Sequence, residues 1–75
     1  MRTAIMVDGK PTYVDDEMSG KQITELAHPG DDQFAVVLRN NGNLPERIPI
    51  QKSKHPYRLN DGDVITSMYR VPTGG

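Results

Sequence analysis

The residues of this chain with the clearest chemical use are its last two. Gly74 and Gly75 close the sequence after Val71-Pro72-Thr73. Glycine has no side chain and the widest choice of backbone angles, so another backbone can approach it closely. A terminal glycine carboxylate therefore suits an enzyme that must reach it through a narrow channel. Pro72 favours an extended approach. A segment of this composition has little with which to dock on a domain, so residues 71–75 are expected to form a projecting tail. The plainer reading of two terminal glycines is a frayed end, and what precedes them has to decide.

The other reactive types point away from catalysis. The chain has no cysteine, so there is no thiol nucleophile and no disulfide framework. Any thiol chemistry would belong to a partner. His28 and His55 each precede a proline and read as turn residues, because metal sites need three or four ligands. Asp61 and Asp63 flank Gly62 without the remaining ligands of a calcium loop. Asp15, Asp16 and Glu17 suit the positive end of a following helix. Nothing orients a base toward a hydroxyl, so the chain is expected to be a non-enzyme with no metal and no cofactor. Lys10, Lys21, Lys52 and Lys54 are available as amine acceptors. Lys52 and Lys54, flanking Ser53, are the least hindered, although exposed lysines are ordinarily solubilising.

Seventy-five residues with a formal charge of -1 describe one small domain with a modest core. The basic residues are scattered, which argues against nucleic acid. No stretch is long enough to span a membrane and no signal peptide is visible. A cytoplasmic monomer is expected.

The elements that must carry the tail follow from pattern. Thr3 to Val7 is a β-former run, Asp8-Gly9 a tight hairpin turn, and Thr12-Tyr13-Val14 the returning strand, with Pro11 marking an edge or bulge. Ser19 and Gln22 have capping-box spacing. Ile23, Leu26 and Ala27 then share a helical face, which His28-Pro29-Gly30 ends. Phe34 to Leu38 reads as a central strand. Arg47 to Ile50 is a proline-broken edge strand. Lys52 to Arg58 is expected to be irregular, Leu59 to be an anchor, and Val64 to Arg70 to be the last strand after the turn at Asn60-Asp61-Gly62-Asp63. One helix cannot cover two sheet faces, so the fold is α+β: a mixed sheet of about five strands over one short helix. The first and last strands should lie side by side. The expected core is Ile5, Val7, Ile23, Leu26, Phe34, Val36, Leu38 and Leu59.

This order, ending in Gly-Gly, resembles the ubiquitin-like β-grasp fold, with residues 1–70 as the domain. Val7-Asp8-Gly9-Lys10-Pro11, Tyr13-Val14-Asp15-Asp16 and Ser19-Gly20-Lys21-Gln22-Ile23 resemble bacterial multiubiquitin domains. That family is often tandem and often lacks the terminal glycines, whereas this chain has one domain and carries them. The tail also lacks the alternating Arg and Leu of eukaryotic ubiquitin. The resemblance implies a protein modifier: the Gly75 carboxylate is adenylated with ATP by an activating enzyme, passed as a thioester to a conjugating enzyme, and joined to amines of target proteins. Gly74 lets the chain thread flat, and a deconjugating peptidase reverses the bond. Sulfur carriers, whose tail becomes a thiocarboxylate, share the fold and the ending. Leu59 with Asp61-Gly62-Asp63 resembles their last turn. A non-covalent β-grasp interaction module is the third possibility.

The last strand offers a partner surface continuous with the tail. Its alternating sets are Val64, Thr66, Met68, Arg70 and Ile65, Ser67, Tyr69, Val71. Placing Val64, Thr66 and Met68 inside leaves Ile65 and Tyr69 outside, and with Arg70 they are the candidate partner contacts. A slip of one residue reverses the assignment.

Overall fold

The computed structural model describes residues 1–42 and 44–70. β1 (Arg2–Val7) turns through Asp8 and Gly9, both at positive φ (49° and 78°), into β2 (Lys10–Asp15). Two consecutive left-handed residues match the twist of a tight hairpin. β3 (Glu17–Ser19) leads into α1 (Gly20–Ala27). β4 (Gln33–Asn41), β5 (Leu44–Pro49), β6 (Pro56–Arg58) and β7 (Val64–Tyr69) follow. The main sheet has the order β2-β1-β7-β4-β5, with β1 and β7 parallel and the other pairs antiparallel. One short helix lies on a five-stranded mixed sheet, a β-grasp-like arrangement. The first and last strands are central neighbours, and the proline-bearing β2 and β5 are edges, where a missing N–H costs least.

The helix starts as its sequence demands. The Gln22 N–H donates to Ser19 Oγ (3.2 Å) and the Ser19 N–H donates to Gln22 Oε1 (3.0 Å), a complete capping box. Its end is a left-handed His28 (φ 49°) whose N–H donates to the Thr24 carbonyl.

Two expectations need correction. Pro56–Arg58, within the stretch expected to be irregular, is a strand, and so is Glu17–Ser19. They pair as a second, two-stranded antiparallel sheet, short enough for the acidic and proline residues at its ends to hide it. The core also uses the opposite faces of β4 and β7. Ala35, Val37 and Ile65 are buried with Ile5, Ile23, Ala27, Ile50 and Leu59, with Val7 and Leu26 packed on them. Phe34, Val36 and Leu38 lie on the face away from the helix, in register with Met68, Thr66 and Val64; of the three, Val36 is buried as expected, at 1% exposed, while Phe34 and Leu38 are half-buried. Both faces of β4 are apolar, so alternation alone could not choose between them. The small side chain of Ala35 suits the side where a helix packs close. Ser67 Oγ confirms the register by donating to the Ala27 carbonyl across that gap (3.3 Å).

The loop between β5 and β6 does more than connect. The Gly20 N–H donates to the His55 carbonyl (2.9 Å) and the Lys21 N–H to the Ser53 carbonyl (2.8 Å). With the capping box, all four orphan donors of the helix start, Ser19 to Gln22, have partners. The approach is so close that a Cβ on Gly20 would sit 1.8 Å from the Gln51 carbonyl oxygen and 3.1 Å from the Tyr57 ring. Here glycine is needed for space, not for an unusual φ. We predict that Gly20→Ala lowers stability by about 3 kcal/mol, toward the upper end of overpacking costs, because the clash is with backbone that also caps the helix. Chemical denaturation would measure it. A change under about half a kcal/mol, the ordinary surface value, would mean the loop does not lie where described.

Candidate functional site

Three things meet at one end of the sheet: the end of β7, the start of β4 and the loop after β5. β7 runs in the middle of the sheet, and its ladder continues past Tyr69. The Arg70 N–H donates to the Asp32 carbonyl (2.8 Å), extending the pairing of Gln33 with Tyr69 by one step. The Arg70 guanidinium lies 5.7 Å from the centroid of the Phe34 ring, within cation–π range. The backbone at Arg70, the last described residue, is therefore fixed by both strand pairing and a side-chain contact.

At the other end of β7 the preceding turn is clamped by two carboxylates. Asp61 accepts from the Thr3 hydroxyl and from the Ala4 N–H (2.9 Å). Those bonds, that of Thr3 foremost, hold the Asp61 carboxyl below its ordinary range. Asp63 is 1% exposed and fully engaged. It accepts from Arg39 Nε (3.1 Å) and Nη2 (2.8 Å), and from the Asn60 N–H (2.8 Å). The same Arg39 Nη2 donates to the Arg58 carbonyl (2.9 Å), so one guanidinium ties β4 to β6 and to the turn. These acids hold the fold and are spent on it. Among the described residues, no group of three or more His, Cys, Asp or Glu converges as a metal site would require.

The residues singled out from sequence divide sharply. Gly74 and Gly75 lie outside the described residues. Tyr69 is 74% exposed and Arg70 is exposed beside it. Ile65 is a correction: it is 0% exposed, in the centre of the core, and cannot touch a partner. Tyr69 shares its face, but by Tyr69 that side of the strand has opened to solvent. Lys52 and Lys54 are exposed on the loop that caps α1, so their backbone is anchored while their amines are open. His28 serves as the helix cap. His55 packs edge-on to Tyr57 at 5.0 Å.

The outer sheet face was not foreseen as a surface. Val64, Thr66, Met68, Phe34 and Leu38 are half-buried there with no helix over them. Register places Arg2, Arg47 and Arg70 on this face, with Asp15 opposite Arg2 and Asp32 opposite Arg70. An apolar strip with a basic border is the kind of surface that meets a protein partner. The signal in the sequence was the second apolar set of β4, which had been assigned to the core. Comparisons with protein-family models, with curated proteins and with solved structures found no match to this chain.

The two faces of β7 should separate in mutation. Ile65→Ala is expected to cost about 2–5 kcal/mol, the range for emptying a buried aliphatic site, while Tyr69→Ala moves the thermal midpoint little. Equal losses from both would place Tyr69 in the core. The Asp61 clamp should appear in the pH dependence. Its carboxyl is depressed in the fold, so its stabilisation is present above the unfolded aspartate value of about 3.9 and is lost as pH falls through the folded value. Asp61→Asn is expected to flatten the stability curve below about pH 4. An unchanged slope there would show that the clamp contributes nothing.

Proposed function

We propose that this chain is a ubiquitin-like protein modifier. The reading rests on a β-grasp-like body in which the central strand, held in register to Arg70, runs on into the sequence Val71-Pro72-Thr73-Gly74-Gly75. That strand pairing is the single observation that carries it. An enzyme that grips the body thereby knows where the reactive end begins, and no ordering cost falls on the root of the tail. Tyr69 and Arg70, exposed at that root, are the grips nearest the reacting atoms, and aromatic and arginine side chains suit such anchors. The resemblance of residues 7–23 to bacterial multiubiquitin domains supports the same reading.

The chemistry belongs to partners throughout. With Gly75 as the free terminus, translated or exposed by a peptidase, its carboxylate attacks the α-phosphorus of ATP on an activating enzyme, giving an acyl-adenylate and pyrophosphate. A cysteine thiolate displaces AMP to form a thioester, which passes to a conjugating enzyme. A target amine displaces the thiol, leaving an amide and returning the proton to the enzyme. The chain supplies no catalytic group, and its lack of cysteine keeps it from competing for its own thioester. A deconjugating peptidase would hydrolyse the amide. Lys52 and Lys54 are the acceptors if copies join to one another.

The decisive experiment pairs the full chain with its cognate activating enzyme. With ATP, the full chain should form a reductant-sensitive adduct on that enzyme and then stable adducts on protein amines. Deleting Gly74 and Gly75 should abolish both and leave the melting curve almost unchanged, since glycines bring little surface to bury. Full conjugation after truncation would overturn the proposal. A terminal carboxylate found in cells with one oxygen replaced by sulfur, and no protein adducts, would make the chain a sulfur carrier instead.

A further inference from the structure

The alternation of hydrogen bonds along β4 shows a gap in its edge. Even-numbered residues of β4 face β7, as the Arg70 bond to the Asp32 carbonyl requires. Odd-numbered residues therefore face β5. That pairing ends where the Ile50 N–H donates to the Ala35 carbonyl (2.9 Å). There the chain turns away to reach the start of α1. Beyond that point the Ala35 N–H has no hydrogen-bond partner among the described residues, and neither does the Gln33 carbonyl. Ala35 is 1% exposed, and a buried amide left unpaired is costly. Gln33 and Ala35 both line a cleft of about 560 Å³, a size that suits a bound ligand. The cleft occupies the place where β5 would have continued.

The rest of the cleft wall is specific. Phe34, Pro29 and Pro49 supply apolar surface, and among the described residues Lys52 and Arg70 supply the only charges of the lining, both positive. In a parallel ladder one residue donates to the carbonyl before its neighbour and accepts from the amide after it. A single extended residue opposite Phe34 therefore satisfies both the Gln33 carbonyl and the Ala35 N–H. We propose that this cleft binds an extended acidic peptide segment of a partner protein, which adds to β4 as a short parallel strand with its carboxylate held by Lys52 and Arg70. Main-chain pairing supplies the seat and the charge supplies the choice, as in other cases of strand addition. This inference does not depend on the tail or its chemistry and stands if the modifier reading fails.

The test uses the intact chain and three capped pentapeptides: one with a central glutamate flanked by valines, its central-glutamine counterpart, and the glutamate peptide N-methylated at the central residue. Backbone amide NMR should show saturable shifts at Ala35, Phe34 and Lys52 with the glutamate peptide. The glutamine peptide should bind about fivefold or more weakly, the scale of one charge-assisted contact. Lys52→Gln should lose a similar factor with an unchanged melting curve, because Lys52 is exposed. The N-methylated peptide should not bind, which separates strand pairing from mere charge attraction. Binding that survives N-methylation, shifts centred on Thr66 and Met68 instead, or no shifts at millimolar peptide would each overturn the proposal.

Discussion

Gly20 and the Gln51 carbonyl occupy space that admits no side chain between them, and much of the molecule follows from that contact. To bring the loop over the helix start, the chain must leave β4 at Ile50. It then supplies the Ser53 and His55 carbonyls that the helix amides need. From there it returns as β6 to pair with β3, the strand that leads into the same helix. The small second sheet, the helix cap and the early end of the β4–β5 ladder are thus one arrangement. Stability is gained at the helix, and the unpaired edge of β4 is its local cost.

Much of the scaffold was legible in short-range chemistry. Asp8-Gly9, the Ser19/Gln22 spacing, the Leu59 anchor and the Asn60–Asp63 turn each have a local physical reason. Each is found where that reason puts it. The element order sufficed for the mixed sheet over one helix, because one helix leaves few other layouts. What failed depended on distant partners. Phe34-Ala35-Val36-Val37-Leu38 offers two apolar faces, and only the closeness of the helix selects the one with the smaller side chains. Choosing the other face moved Ile65 from the core to the surface in the same step. The pairing of Glu17–Ser19 with Pro56–Arg58 joins segments too short and polar to announce themselves. A glycine directly after a good helix cap was the available clue to the loop contact, since helix starts seldom favour it without cause.

The candidate sites were legible to different degrees for the same reason. Tyr69 and Arg70 follow from the position of the last strand. Lys52 was visible as an exposed amine, but its place with Arg70 on one cleft requires the turn at Ile50 and the register of three strands. The acids show the converse. Asp61 and Asp63 could be excluded as a calcium loop from missing ligands, yet their clamping of Thr3 and Arg39 across long sequence separations was not visible in any spacing.

The parallel pairing of β1 with β7 also constrains how the chain comes into being. β7 sits between β1 and β4, so the earliest-made strand and the central one that follows the helix have no direct contact until the last strand is in place. During synthesis the first hairpin and the helix can form, but the core around Ile5, Ile23 and Ala35 stays open until Ile65 arrives. Closing it requires contacts between the two ends of the domain, the kind of non-local closure that slows folding. The domain therefore cannot complete before its last strand is made, and until then the apolar residues of β1 and β4 lack the strand that joins them.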